Sequence, residues 1–358
     1  MLIQSGIDFN IPFAVLDPDA NAPCAGIARF TNGPLTDYDT VMKFGAACDI
    51  ITIEIENVNV QALKDLQRSG KKVYPQPEVI ELIQDKRTQK SFYREHGIPT
   101  ADFVLTNDHA DVRSHASMLP AVNKLGKEGY DGRGVQILRS ESDLDKAFDA
   151  PGLLERLVDF EKEIAVIVAR TESGEVKSFP AVEMAFHPVQ NLVEYLFSPA
   201  QISPSIEERA QKLASDIIVK LDMVGILAVE MFVTKEGEVL VNEVAPRPHN
   251  SGHQTIEANT TSQYEQHLRA ILDLPLGDTT TIMPSAMVNL LGEPGYEGEA
   301  KYSGFHKVTE VPGVHVHLYG KRLTKPFRKM GHVTILDRDL DGLKKKAEFV
   351  KQTLKVIS

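Results

Sequence analysis

Apolar and polar positions change texture three times along the chain. Up to about residue 80, short apolar runs alternate with helical stripes. Phe13-Ala14-Val15-Leu16-Asp17 predicts a strand ending in an acidic, proline-containing turn, and Asp49 to Ile55 predicts a second. Val60 to Arg68 predicts a helix, and Lys72-Val73-Tyr74 a third strand before Pro75. Strand–helix alternation of this kind implies a parallel α/β layer. One helix is expected from Pro77 to His96, stopped by Gly97-Ile98-Pro99.

From Pro120 the runs shorten. Ala121 to Lys124 and Val135 to Leu138 read as strands around a glycine-rich loop, Gly126 to Gly134, and Ile164 to Ala169 as another. Ser205 to Leu221 carries Ile206, Ala210, Leu213, Ile217 and Leu221 at helical spacing, a stripe that faces a core. Gly225 to Thr234 and Val239-Leu240-Val241 then predict a hairpin, and Ser262 to Leu272 a helix. Beyond Leu276 come short strands, Ala286 to Leu291, Val314 to Tyr319 and Val333 to Leu336, with a closing helix from Lys344 to Leu354. The fold class is therefore mixed α/β and α+β. The expected units are a parallel α/β domain over 1–78, a central domain over 79–275 and a small β-rich domain over 276–358.

The hairpin carries the first chemical signal. A two-residue loop at Glu236-Gly237 sets a register in which Glu230 faces Glu243, on the side of Ala228, Phe232 and Val241. Like charges directly opposite destabilise a sheet. Such a pair needs a proton, a basic partner or a divalent cation, and hard oxygen ligands that leave room for phosphates suit Mg²⁺.

The strand runs straight into Asn242-Glu243-Val244-Ala245-Pro246-Arg247-Pro248-His249-Asn250-Ser251-Gly252-His253. Pro246 and Pro248 forbid a helix there, and Gly252 permits a sharp bend. A carboxylate, an arginine, two histidines, an amide and a hydroxyl in one irregular segment suit a charged small molecule.

Composition narrows the class. The chain has 358 residues, enough for two or three domains. A net charge of −11 and a pI near 5.5 argue against bulk nucleic-acid binding. Cys24 and Cys48 stand in no metal-binding spacing and point to free thiols in a reducing cytoplasm. No apolar run reaches membrane-spanning length.

Lys124 ends a strand just before Gly129-Tyr130-Asp131-Gly132-Arg133-Gly134. Glycines let backbone N–H groups approach an anion, yet strand–loop–strand is not the strand–loop–helix of a P-loop. Glu155 and Glu163 flank a short apolar link that could bind a nucleoside, though from spacing alone solvated charges are the better default. His187 sits in an expected loop, and Lys86 on the expected helix reads alone as a surface lysine.

Together these residues carry a resemblance. Lys124, the glycine loop, Glu155, Glu163, Glu230 and Asn242-Glu243 follow the order found in ATP-grasp ligases. Gln84-Asp85-Lys86, Gly97-Ile98-Pro99, the polar loop and Arg328-Lys329-Met330-Gly331-His332 resemble, within them, the 5-(carboxyamino)imidazole ribonucleotide synthases of purine biosynthesis. The resemblance implies a three-domain homodimeric cytoplasmic enzyme with a flap subdomain at about 100–155. Its expected reactants are ATP, bicarbonate and 5-aminoimidazole ribonucleotide, with neither nucleic acid nor membrane as a partner.

It also implies roles. Lys86 and Lys124 would contact phosphates under the glycine loop; Glu155 and the backbone of Arg156, Leu157 and Val158 would hold adenine; Glu163 would hold ribose. His187 would lie near the nucleotide, and Glu230 and Glu243 would hold Mg²⁺. Asn242, also expected at ATP, lies on the wrong face under strict alternation and needs a bulge or strand twist. Arg247, His249 and His253 are the catalytic candidates, with either histidine as proton acceptor. Asn250 and Ser251 would face the substrate, and Lys321 and Arg328 its phosphate.

Two departures accompany the resemblance. A double glycine before Tyr130 is here Glu128-Gly129. The opening strand and Gly-Gly-Gly-Gln-Leu-Gly loop of relatives have no counterpart before Met1-Leu2-Ile3-Gln4, and an upstream start is the expectation. Another ATP-grasp ligase, such as a formate-dependent glycinamide ribonucleotide transformylase, or a non-catalytic ATP-binding homologue are the alternative readings.

Overall fold

The computed structural model describes residues 1–127, 134–186 and 193–358. The first part builds helix α1 (Leu2–Asp8), the parallel pair β1 (Ala14–Asp17) and β2 (Arg29–Asn32), helix α2 (Tyr38–Ala46), strand β3 (Ile50–Ile51), helix α3 (Val60–Arg68) and strand β4 (Lys72–Val73). Strand β4 pairs with β3, again in parallel. Val41, Ile51, Leu63, Leu66, Val73 and Ile80 form the core of this part. The strand expected over Asp49 to Ile55 is thus confined to two residues, and the chain then turns toward the cleft. Strand β2 and helix α2 lie outside the expected pattern. Strand β2 is largely exposed and polar, while α2 buries only Val41 and Gly45.

The single helix expected from Pro77 to His96 is two helices, α4 (Pro77–Gln84) and α5 (Lys86–Glu95). Asp85 breaks them with extended backbone, and its carboxylate accepts from Arg87 N–H at 2.9 Å. An N-cap aspartate satisfies a donor that an unbroken helix would bond internally. The Lys86 N–H instead donates to the Gly126 carbonyl at 2.8 Å. A Cβ on Gly126 would lie 2.9 Å from Asp85 Oδ1 and 3.1 Å from the Pro151 carbonyl, so a side chain there would have to push its neighbours aside.

Next comes a four-stranded antiparallel sheet of β5 (Phe103–Thr106), β6 (Ala121–Leu125), β7 (Val135–Leu138) and β8 (Gly152–Arg156), ordered β5-β8-β6-β7, with α6 (His109–Ser114) beside it. Most of the glycine-rich loop, including Gly129, Tyr130, Asp131, Gly132 and Arg133, lies outside the described residues. Gly134 closes the β6–β7 connection at φ 71°, its carbonyl accepting from Leu125 N–H.

The large sheet begins with β9 (Phe160–Arg170), β10 (Val176–Ser178), β11 (Val182–Phe186) and β12 (Val193–Ser198), followed by helix α7 (Pro204–Lys220). Then come β13 (Gly225–Thr234), β14 (Val239–Ala245), α8 (Thr255–Ala258) and α9 (Gln263–Ile271). Helix α7 lays Ala210, Ala214, Ile217 and Ile218 against Val166, Val168, Leu227 and Val229, forming the main core.

The last part contributes β15 (Ser285–Leu291), β16 (Gly298–Glu299), β17 (Lys301–Ser303), α10 (Phe305–Thr309), β18 (Val314–Leu318), β19 (Leu323–Thr324), β20 (Lys329–Leu336), α11 (Leu340–Thr353) and β21 (Lys355–Ile357). Its principal strands do not form a sheet of their own. They extend the central one, in the order β14-β13-β9-β11-β12-β15-β20-β18 with β10 also on β9.

Candidate active site

Strands β13 and β14 form the floor of the site, and their register departs twice from simple alternation. The turn holds three residues, Lys235 to Gly237, not two. Thr234 N–H donates to the Glu238 carbonyl, Gly237 stands at φ 79°, and Val233 pairs with Val239. A β-bulge then falls between Val241, opposite Met231, and Glu243, opposite Glu230. The two one-residue shifts cancel, so the expected Glu230–Glu243 pairing holds. Val241 does not share its face as expected; it packs with Met231 and Val239 in the apolar core. Asn242 is the extra residue. The bulge frees its side chain from the alternation, and Oδ1 accepts from Lys124 Nζ at 3.0 Å.

The bulge is held from outside by the Gly97-Ile98-Pro99 segment. Val241 N–H donates to the Pro99 carbonyl at 2.8 Å, and Thr100 Oγ1 donates to the Val241 carbonyl at 2.6 Å. Strand β14 therefore has its main chain engaged on both sides just before the extra residue. That leaves the insertion no freedom to slide along the strand.

Three lysines meet the carboxylates above this floor. Lys86, the first residue of α5, reaches Glu243 Oε2 at 2.6 Å, so the helix break makes it part of the site. Lys124 lies 2.7 Å from Glu155 Oε2, and Lys90 2.5 Å from Glu155 Oε1. Lys90 also bonds Thr100 Oγ1. Glu155 is buried between the two ammonium groups.

Burial drives the Glu230 carboxyl well above the usual carboxylate range, with the charges of Glu243 and Glu163 adding to it. The Lys86 ammonium holds Glu243 well below that range. Burial also lifts Glu163 to about 7, with Lys124 opposing the shift. Burial pulls Lys90 down to about 8 against the attraction of Glu155. The pair is thus asymmetric: burial works against a charge on Glu230, while the Lys86 ammonium favours one on Glu243.

The polar loop closes the cleft. Arg247 Nε lies 2.8 Å from Glu56 Oε1, on the segment that follows β3. His249 Nε2 lies 3.6 Å from Glu230 Oε1, and its Nδ1 accepts from Ser251 Oγ and the Ser251 N–H. Ser251 is buried, Asn250 half-buried. His253 Nδ1 lies 2.9 Å from Tyr264 Oη and 3.1 Å from Gln263 Nε2. Its ring centroid is 4.6 Å from that of His332, which stacks in turn on His317 at 4.5 Å. Burial, with His249 and Lys329 nearby, holds His253 well below the ordinary histidine range. Across the cleft Lys321 Nζ donates to the Lys329 carbonyl, and Arg328 Nη1 to the Leu323 carbonyl.

Arg156 ends β8, and Leu157 and Val158 begin the link to β9; Arg156 N–H donates to the Asp102 carbonyl and Leu157 N–H to the Pro120 carbonyl. Glu163 on β9 sits opposite Phe232 on β13. His187 lies outside the described residues.

Several contributors were not singled out in the sequence. Lys90 recurs one helical turn after Lys86, a spacing that could have marked it. Glu56 and His317 are brought in by contacts between elements far apart in the chain, and Gln263 and Tyr264 by the folding of the polar loop onto α9.

Two sheets gripping a carboxylate floor and a lysine cluster define an ATP-grasp enzyme. The ATP-grasp domain family matches residues 91–264. The ribonucleotide synthetase preATP-grasp domain matches 1–84, and the phosphoribosylaminoimidazole carboxylase C-terminal domain 285–346. The chain belongs to the N5-carboxyaminoimidazole ribonucleotide synthase family of ATP-dependent ligases.

It is 37% identical over 345 residues to the N5-carboxyaminoimidazole ribonucleotide synthase of Synechococcus elongatus, covering 94% of this chain and 86% of that one. It is 37% identical to the chloroplastic phosphoribosylaminoimidazole carboxylase of Vigna aconitifolia, covering 96% of this chain but only 63% of the plant protein's length. The structure of the Thermotoga maritima synthetase superposes with a TM-score of 0.91 at 40% identity, covering 100% of this chain and 96% of that one. An Aspergillus clavatus synthase solved with ADP and 5-aminoimidazole ribonucleotide gives 0.88 at 32% identity, over 98% and 94%. Among the described residues no helix is long and apolar enough to cross a membrane.

Proposed function

We propose that the chain uses ATP to activate bicarbonate and carboxylates 5-aminoimidazole ribonucleotide to N5-carboxyaminoimidazole ribonucleotide. One observation carries the reading. The bulge delivers Asn242 to Lys124 and Glu243 to Lys86, and the same strand runs on into the Arg247–His253 loop, so a phosphate site and an acceptor site share one wall.

The carboxylate pair fits Mg²⁺. Glu230 is held above its ordinary range by burial beside Glu243, a state that a divalent cation relieves. Glu230 and Glu243 would hold the ion, leaving its other positions to phosphate oxygens and water, as Mg²⁺ prefers. Bound there, the ion would neutralise charge on the transferring phosphoryl group.

The protein's own groups do the rest. A bicarbonate oxygen bonds to the γ-phosphorus as the bond to ADP breaks, giving carboxyphosphate. Lys86 and Lys124 offset the negative charge of the phosphates, and Arg247, steadied by Glu56, orients the bicarbonate. Glu155 and the backbone of Arg156 to Val158 would hold adenine, and Glu163 the ribose. The amine then attacks the carboxyl carbon, either of carboxyphosphate or of CO₂ released from it. Phosphate leaves, and the amine's proton passes to a base, for which the loop histidines His249 and His253 are the candidates. Asn250 and Ser251 line the acceptor side; Lys321 and Arg328 would hold the ribonucleotide phosphate. The reading also carries a cytoplasmic homodimer, which light scattering on the purified protein tests.

ADP release measured with each combination of bicarbonate and 5-aminoimidazole ribonucleotide tests the reaction. Release that needs both supports it. ATP binding with no turnover under any combination would leave a nucleotide-binding homologue without catalysis.

A further inference from the structure

Gln263 is completely buried at the start of α9, yet it makes three polar contacts with the loop that carries the two catalytic-candidate histidines. Its Oε1 accepts the His249 N–H at 2.8 Å. Its Nε2 donates to the His249 carbonyl at 2.8 Å and lies 3.1 Å from His253 Nδ1. Its own N–H donates to Thr255 Oγ1 at 2.8 Å, which anchors the start of the helix. The contact is close: a Cβ on Gly252 would lie 2.5 Å from Gln263 Oε1.

The orientation of this amide is fixed, since a backbone N–H can only donate and a backbone carbonyl can only accept. The oxygen of Gln263 must therefore face the His249 N–H, and its NH₂ the His249 carbonyl. The second hydrogen of that NH₂ then points at His253 Nδ1. A proton on Nδ1 would oppose it, hydrogen against hydrogen, inside a buried contact. So Nδ1 is the acceptor, and in a neutral imidazole the proton resides on the other nitrogen. Tyr264 Oη, 2.9 Å away, donates to Met1 Sδ at 3.4 Å and can turn its proton to the same lone pair, so the amide of Gln263, whose orientation is fixed, decides the tautomer. Nε2 makes no hydrogen bond among the described residues, and the ring is only half-buried.

We infer that Gln263 is a positioning residue that locks His253 as the Nε2–H tautomer, so that His253 serves as a hydrogen-bond donor to an oxyanion in the cleft and not as the proton acceptor. The oxyanion is that of bicarbonate or of the activated carboxyl group, an assignment that rests on the carboxylation reading. The donor adds no charge and needs no titration. It stands ready before the reactant arrives, as preorganised oxyanion stabilisation requires. The same glutamine clamps the main chain of His249 through its N–H and carbonyl.

Nitrogen–proton correlation NMR on the imidazole rings of the intact protein reads the tautomer directly, with His253→Gln identifying the signal. The expected wild-type pattern is a bare Nδ1 and a protonated Nε2. A wild-type ring protonated on Nδ1 overturns the inference. Gln263→Glu puts an acceptor oxygen where the donor stood, and should move the proton to Nδ1. In steady-state kinetics Gln263→Glu should raise KM for bicarbonate about tenfold, the factor that corresponds to one hydrogen bond to a charged group, and leave KM for ATP unchanged. An unchanged KM for bicarbonate, or an equal rise for ATP, counts against it. Should this variant not fold, the wild-type tautomer still decides. The tautomer is read without substrates, so its failure is distinct from a failure of the carboxylation reading, which wild-type ADP release tests.

Discussion

Lys86 Nζ and Glu243 Oε2 lie 2.6 Å apart, although the two residues come from a helix break and a strand bulge 157 positions apart in sequence. Each irregularity is necessary for the contact. Without the break at Asp85, Lys86 would sit mid-helix with its N–H bonded internally. Without the bulge at Asn242, the three-residue turn would send Glu243 into the apolar core. Glu243 is therefore expected to be indispensable. Glu243→Ala should lower bicarbonate-stimulated ADP release about a hundredfold or more, the scale of several kcal/mol lost at a charged transition state. Unchanged turnover in a continuous ADP assay would remove Glu243 from the metal and phosphate site.

Gly126→Ala tests the helix break without touching a functional group. The new methyl meets Asp85 Oδ1 at 2.9 Å and the Pro151 carbonyl at 3.1 Å, and the backbone cannot yield as a long side chain would. We expect a loss of about 1–3 kcal/mol in stability, typical of overpacking, with a raised KM for ATP as Lys86 shifts. Denaturant titration and nucleotide kinetics on the same preparation check both.

Lys90 and Glu155 are a buried ion pair in which each partner depends on the other. Lys90→Met leaves Glu155 only Lys124 as a counter-charge, and should destabilise the protein by about 3 kcal/mol. Lys124, drawn further toward Glu155, should also grip phosphate less well. An unaltered urea midpoint would show that Lys124 alone satisfies Glu155.

His267 supplies a pH dependence of stability. It is fully buried, bonded through Nε2 to Thr52 Oγ1 at 2.8 Å, and burial lowers it to about 4 from an ordinary 6.5. Because the folded value lies below the unfolded one, the unfolded chain binds the extra proton between pH 6.5 and 4. The contribution is present above pH 6.5 and is lost as pH falls toward 4, amounting to about 2 kcal/mol between pH 7 and pH 5. Chemical denaturation at those two pH values should show this difference in the wild type and a smaller one in His267→Gln.

Much of the fold was legible because its long elements have clear periods. Helix α3 and strand β13 match the sequence pattern residue for residue, since each has a strong stripe or a continuous apolar run. The Glu230–Glu243 pairing was also legible, though by two shifts that cancel. A three-residue turn and a bulge displace the register in opposite senses, and no local pattern distinguishes that combination from a two-residue turn without a bulge. The break at Asp85 was hidden because α4 and α5 each have good helical composition. What separates them is the Gly126 carbonyl, forty residues downstream by roughly that count, which captures the Lys86 N–H. The Gln263 clamp was hidden for the same kind of reason. It reads locally as a polar residue at a helix start, and only the fold of the polar loop gives it partners.

The continuity of the large sheet sets the mechanics of the enzyme. Strand β12 hydrogen-bonds β15 through Tyr195–Val288 to Ser198–Ser285, so the carboxylate floor and the wall bearing Lys321 and Arg328 belong to one hydrogen-bonded slab. Prising those walls apart would tear backbone pairing along a whole strand. The four-stranded sheet that carries Lys124 and Glu155 is a separate sheet, joined to the slab by side-chain bonds and short links. Relative motion of the two sheets would therefore break only those few bonds, while Glu230 and Glu243 stay tied to the β15–β20 end of the slab by continuous backbone pairing.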